Sequence, residues 1–263
     1  MPAALLLTLA LVTSALGAEK TLRIGTSDWQ PYVDQSRPDA GALGRLISAI
    51  FAEAGYRVEY LYYPWDRDVL MLQQGQLDAI MPYSCNPSRL NYGICSDPLV
   101  RGEIVLFHRV DLPLDWQNIE DLRRYRIGVT LGYSYGPSFD EALQQGQLQV
   151  EQGRNDDIGF RLLQLGRVDL HPQDRAVGYA MLRRLFPGGE WRNITHSERY
   201  LNREPLRLLF RKDDTQAAEL LRVFNAGLRR FAERGDLQRL QQALNSGDAD
   251  DWQPSASGSL ARD

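Results

Sequence analysis

The chain is poor in the residues that build reactive centres. It holds only two cysteines and three histidines. His108, His171 and His196 stand far apart along the sequence, and two thiols fall short of the four ligands of a structural zinc. Neither a metal site nor a cofactor is expected. A G-x-S-x-G nucleophile turn and a phosphate-cradling glycine loop are both missing. The net charge is −4, so the chain lacks the basic excess of a nucleic-acid-binding domain. After residue 18 no stretch stays apolar over the roughly 20 residues that a membrane helix needs.

Charge is also missing from residues 1–16, and residues 3–12 are almost wholly apolar. Small residues follow at Ala15, Gly17 and Ala18, and the first charges are Glu19 and Lys20. An apolar run of about 10 residues is too short to span a bilayer but has the length of a secretory h-region. No Lys or Arg precedes it, and no Cys follows it to take a lipid. The expectation is a signal peptide over 1–18, a mature chain starting near Ala18 or Glu19, and a soluble periplasmic monomer. In an exported chain the even pair Cys85 and Cys95 suggests a disulfide.

What is present is an ordinary globular composition, 43% hydrophobic and 24% charged over 263 residues, enough for one large or two modest domains. Strand and helix patterns alternate. Residues 21–25 read as a strand. Leu43, Leu46, Ile47, Ile50, Phe51 and Ala54 fall at helical spacing, and Gly55 stops that helix. Residues 57–63, 77–81 and 103–107 read as further strands, with a short helix over 66–74. After a polar break at 109–121 a second set begins. Its strands fall at 126–130, 148–151 and 168–171, and its helices near 137–145, 156–165 and 175–185. A strand at 206–210 and the apolar stripe Ala217, Leu220, Leu221, Phe224, Leu228 and Phe231 close the pattern. Such alternation predicts α/β layers with largely parallel strands. Residues 248–263 are polar and Ser/Gly/Asp-rich, and predict a disordered tail.

Five blocks then match in order. They are Gly25-Thr26-Ser27-Asp28-Trp29-Gln30-Pro31-Tyr32; Leu72-Gln73-Gln74-Gly75-Gln76-Leu77-Asp78-Ala79-Ile80; Pro87-Ser88-Arg89 with Cys95-Ser96-Asp97-Pro98; residues 127–134; and Gly166-Arg167-Val168-Asp169 with Asp174-Arg175. From about residue 22 to 244 the chain resembles the extracellular solute-binding proteins of family 3, the polar-amino-acid type. The resemblance implies a two-lobed periplasmic-binding-protein-like type II fold. Lobe 1 would comprise 19–109 and 200–247, and lobe 2, inserted and hinged, 110–199. Pro64-Trp65-Asp66-Arg67 and Met81-Pro82-Tyr83 resemble a divergent branch with a P-W-x-R and F-P-Y-like signature.

An amino-acid carboxylate suits a bidentate Arg and backbone N–H groups at a helix start, and an ammonium suits a carboxylate. By resemblance, Arg89 would clamp the carboxylate, Ser134 would add donors from lobe 2, Asp174 would take the ammonium, and Trp29 and Trp65 would wall the pocket. Asp28, inside the first block, and Tyr83, in the F-P-Y-like segment, complete the ligand-binding set, with Arg67 as a second anion donor. Each has a plainer reading: surface cations for Arg89 and Arg67, a helix cap for Asp174, a capping hydroxyl for Ser134, and core packing for the tryptophans. The family's Thr and Glu before this arginine are Asn86 and Ser88 here, and His171-Pro172 is expected to interrupt the strand before Asp174.

The resemblance implies binding of a small polar solute, amino-acid-like or another small carboxylate, for delivery to an ABC permease. One alternative is a sensor that presents its ligand to a membrane receptor kinase. Another is an enzyme on the same fold, of the cyclohexadienyl-dehydratase type. Only Asp174, Asp28 and His171 offer themselves as acid or base, and none has an evident partner in sequence, so a non-enzyme is expected.

Overall fold

The computed structural model describes residues 20–255. The signal segment over 1–18 therefore lies outside the described residues. In chain order the elements are β1 (Lys20–Thr26), α1 (Gly41–Ala52), β2 (Tyr56–Tyr62), α2 (Trp65–Gln73), β3 (Ala79–Ser84), β4 (Gly93–Cys95), β5 (Val100–Arg109), β6 (Arg126–Thr130), α3 (Pro137–Gln144), β7 (Gln149–Gly153), α4 (Asp156–Gln164), β8 (Leu170–Asp174), α5 (Arg175–Leu185), β9 (Ile194–His196), β10 (Asn202–Arg211), α6 (Ala217–Glu233) and α7 (Asp236–Ser246).

The strands follow the order β2-β1-β3-β10-β5-β8-β6-β7. Parallel pairs sit at both ends: β1 with β2 and β3, and β6 with β7 and β8. Two long antiparallel strands, β5 and β10, join these halves and pair with each other from Asn202↔Ile104 to Leu206↔Val100. This is the two-lobed α/β architecture. A helix stripe and a sheet face must each be covered, and the larger buried cluster runs from the first half into the second, where it takes in Phe160, Leu163, Val177 and Leu182. In the first, Leu43, Leu46, Ile47, Ile50 and Phe51 of α1 are completely buried, and α6 adds Phe224, which packs on Phe51 with ring centres 5.2 Å apart. In the second, Leu122, Ile127, Tyr135, Phe139 and Leu170 form a separate cluster.

Two expectations are corrected. Pro172 does not interrupt its strand. β8 runs through it, with Leu106↔Pro172 in register against β5. On the opposite side β6 pairs only at Ile127↔Leu170, so the strand has already left that ladder when the N–H is lost. The tail is also not loose from 248 onward. Ala249 and Trp252 are buried, Ala249 O accepts from Arg45 Nη2 at 2.5 Å, and Ser255 N donates to Asp236 Oδ1 at 2.9 Å. One apolar residue in a polar stretch, Trp252, pins it. Residues 256–263 lie outside the described residues.

Cys85 and Cys95 are joined. The bridge closes the loop that carries the 3-10 turn Arg89–Asn91 and ties the end of β3 to β4. Closing a loop of this size is worth about 2–3 kcal/mol through the unfolded state. Replacing both cysteines by serine should lower stability by that amount, read from denaturant melts, whereas equal midpoints with and without the bridge would refute it.

Candidate functional site

The two halves face each other across a cleft. Its floor is the joint itself. Alternation along the antiparallel pair puts Gly102 and Ile104 of β5 on one face with Glu204 and Leu206 of β10. The first lobe supplies Trp29, Trp65, Tyr83, Ser84 and Arg89, and the second supplies the loop after β6, Gly132, Tyr133 and Ser134.

Arg89 is 8% exposed. Asn86 holds it in place: the Asn86 Oδ1 accepts from Arg89 N at 3.0 Å and from Ser88 Oγ at 2.8 Å. An Asn side chain at this position thus forms the turn that opens the 3-10 segment. The guanidinium donates through Nη1 to Ser84 O at 2.9 Å and Ser84 Oγ at 2.5 Å, and lies over the Tyr83 ring, 4.7 Å from its centre. Guanidinium has five N–H donors, and Nη1 alone makes these bonds, so the group can still grip an anion in the cleft.

The aromatic wall centres on Trp65. Trp29, Tyr83 and Tyr133 meet it edge to face, with ring centres 6.0, 5.4 and 5.8 Å away, and Tyr32 stacks on Trp29 at 4.7 Å. Tyr133 reaches Trp65 from the opposite lobe. Its hydroxyl donates to Asp156 Oδ2 at 2.6 Å, and Thr130 Oγ1 donates to Asp156 Oδ1 at 2.7 Å. Burial pushes the Asp156 carboxyl up to about 6 despite these bonds. At Gly132 the loop after β6 comes up against the start of α2. Its φ is +83°, and a Cβ there would lie 2.9 Å from Asp66 N and 3.3 Å from Trp65 Cβ, so both backbone conformation and space demand glycine.

Behind the wall sits Asp68, completely buried on α2. A Cβ on Gly25 of β1 would come within 2.6 Å of its Oδ1. Neither oxygen has a hydrogen-bond partner among the described residues. The nearby Tyr83 hydroxyl partly offsets the burial but donates to Trp65 O at 3.1 Å. Burial pushes this carboxyl up to about 8, so it is largely protonated at neutral pH.

The structure thus gathers Trp29, Trp65, Tyr83, Arg89 and Ser134 around one cleft. Ser134 comes with a hydroxyl already committed to Asp140. Three expected ligand contacts are not brought there. Arg67 is exposed and lies over Tyr63 at 5.2 Å, because it falls on the outward side of α2. Asp28 is exposed at a neighbouring recess beside Trp65 and accepts from Gln35 N at 3.0 Å. Asp174 is 1% exposed and caps α5. Its Oδ1 accepts from Ala176 N and Val177 N at 3.0 and 3.2 Å, and its Oδ2 from Glu103 N at 2.9 Å and the Tyr32 hydroxyl at 3.2 Å. With four donors on two oxygens it has no room for an ammonium. Burial still pushes it up to about 6. His171 is buried under α4, its Nδ1 2.8 Å from Gly128 O, and burial drives it down to about 4. The three groups nominated as acid or base are therefore a surface carboxylate, a helix cap and a core imidazole. Sequence reasoning missed Glu204, Ser84 and Tyr133. Glu204 carried no motif, but Tyr133 adjoined a residue already singled out.

Asp174→Ala should then act on the fold. Losing a cap and two further buried bonds costs about 1–3 kcal/mol. Thermal melts check this, and an unchanged midpoint would count against the cap.

A family model for bacterial extracellular solute-binding proteins, family 3, matches residues 22–244. The chain belongs to that family. Solved structures share the fold. An ancestral arginine-binding protein bound to arginine is 24% identical, with a TM-score of 0.72 over 85% of this chain and 97% of that one. A mutant of ArgBP from T. maritima is 22% identical, with a TM-score of 0.72 over 86% and 95%. A histidine kinase sensor domain with similarity to periplasmic binding proteins is 22% identical, with a TM-score of 0.71 over 87% and 96%. Among curated proteins none matches. Family 3 proteins are mainly binding proteins, which favours capture over catalysis at that coarse level.

Proposed function

We propose that this family 3 protein binds a small, polar, carboxylate-bearing solute of the amino-acid kind, in the periplasm, and hands it to an ABC importer. One observation carries the reading: Arg89 stands in the cleft between the lobes with its donors only partly used, on a turn locked by Asn86 and the disulfide. A desolvated guanidinium fork beside aromatic walls is a carboxylate site by its chemistry. The hinge would be the pair β5 and β10, the connections that cross between lobes 19–109/200–247 and 110–199. Opening about it would part Tyr133 and Gly132 from Trp65 and admit the solute, and closing would restore those contacts and shut water out of the cleft. Solutes named for the structural neighbours support the class of ligand and not its identity.

Native mass spectrometry of protein purified from its own host, searching for a co-purified small molecule, tests this. A bound carboxylate of low mass supports the reading. A bound neutral sugar or a metal ion would overturn it.

A further inference from the structure

The cleft floor holds one ionisable group that no motif announced. Glu204 is flanked on its face by Leu206 and opposed across the strand pair by Gly102 and Ile104. Gly102 offers no side chain to cover it, so the carboxylate of Glu204 looks into the space the ligand would fill. Its neighbour Arg203 is engaged elsewhere, 2.8 Å from Glu103. Burial raises the Glu204 carboxyl, while the side chains of Ser84 and Asn202 and the charge of Arg89 favour its ionised form. Ser84 lies at the same cleft: its Oγ accepts from Arg89 Nη1 at 2.5 Å, and it lines the cavity together with Glu204. A cation and a carboxyl thus line the same cleft, with Ser84 beside them.

We propose that Glu204, rather than Asp174, accepts the cationic end of the solute, and that the solute is an α-zwitterion, its carboxylate on Arg89 and its ammonium on Glu204. This rests on the solute-binding reading above. Adjacent opposite charges in the protein match adjacent opposite charges in the ligand, and a ligand with a carboxylate alone would leave Glu204 desolvated and unpaired, which is costly. Asp174 cannot serve, since its four accepted hydrogen bonds already fill both oxygens.

The test is calorimetric titration of the wild type, Glu204→Gln and Asp174→Asn. The probes are the twenty standard L-amino acids and, for the tightest of them, the des-amino acid with hydrogen in place of ammonium. Glu204→Gln should weaken the amino acid by about 10- to 100-fold, the usual range for a hydrogen bond to a charged group, and leave the des-amino acid unchanged or tighter. That second arm also shows the variant site to be folded. Asp174→Asn, titrated below its melting temperature, should keep the wild-type affinity. Wild type that binds the des-amino acid as tightly as the amino acid overturns the role of Glu204 and leaves the carboxylate reading standing. So does a Glu204→Gln variant with unchanged affinity for the amino acid. If no probe binds the wild type, both the assignment and the amino-acid reading fall.

Discussion

Arg89→Ala should abolish solute binding. Removing one partner of a desolvated charged pair costs about 2–5 kcal/mol, a loss of roughly 30-fold to several thousand-fold. Much of that is the penalty left on the ligand carboxylate, which would face Tyr83 and Trp65 with no donor. Arg89→Lys keeps the charge but loses the planar fork and its place over Tyr83, so it should recover only part of the affinity. Arg89 is nearly buried and bonded to Ser84, so a modest loss of stability is expected as well. Titration therefore has to be run well below each variant's melting temperature. If Arg89→Ala binds its solute as wild type does, the clamp is elsewhere and the carboxylate reading fails.

Stability should fall as pH rises, and Asp68 should be the main cause above pH 6.5. Its carboxyl titrates near 8 in the folded protein and near 3.9 in an unfolded chain. The folded state therefore holds the proton more tightly. The associated stabilisation is complete below the unfolded value and is lost as pH climbs through the folded one. The change amounts to about 5 kcal/mol from pH 4 to pH 8.5, of which about 2 kcal/mol falls between pH 6.5 and 8.5. Asp156 and Asp174, both near 6, lose their share at lower pH. There His171, near 4, acts in the opposite sense, because its imidazole must charge as the chain unfolds. The upper window thus isolates Asp68. Asp68→Asn should flatten the stability profile there and also make the fall between pH 4 and 6.5 shallower, leaving in that lower range only what Asp156, Asp174 and His171 contribute. A wild-type melting temperature that is level from pH 6.5 to 8.5 would remove the argument.

The helices and strands were legible because their signal is periodic, whereas the division into two lobes came from the family resemblance and not from periodicity. The stripe of α1 and the alternating strands report burial directly, and burial is what composition encodes. The disulfide was legible from two cysteines in a chain whose first residues read as an export signal. Arg89 and Trp29 could be placed at the cleft because each sits in a matching block, and Trp65 because it stands in the P-W-x-R segment. Asp174 misled because a cap and an ammonium acceptor want the same residue at the same place, before a helix. Only the count of donors already on its oxygens separates the two uses. Arg67 misled because a position in a motif does not say which side of a helix it faces. Glu204 could not be read at all: its neighbours in the cleft come from β5 about a hundred residues earlier, and from the turn at Arg89.

The placement of β10 has a consequence for the order in which the molecule can be made. β10 fills the gap between β3 and β5, and α6 behind it covers α1, yet both follow residue 200. A chain emerging N-terminus first therefore leaves one edge of β3 and the side of α1 that meets α6 open to the solvent for most of its synthesis, although β1 and β2 are already there to meet the other sides. The contacts that finish the first half span more than a hundred residues, and such pairings are slow because the intervening chain must be gathered first. The later segment is meanwhile free to fold, since β6, β7 and β8 lie close together in sequence. The half that carries Arg89 is begun first and completed last, and until residue 211 has emerged the chain remains a loose thread at that end.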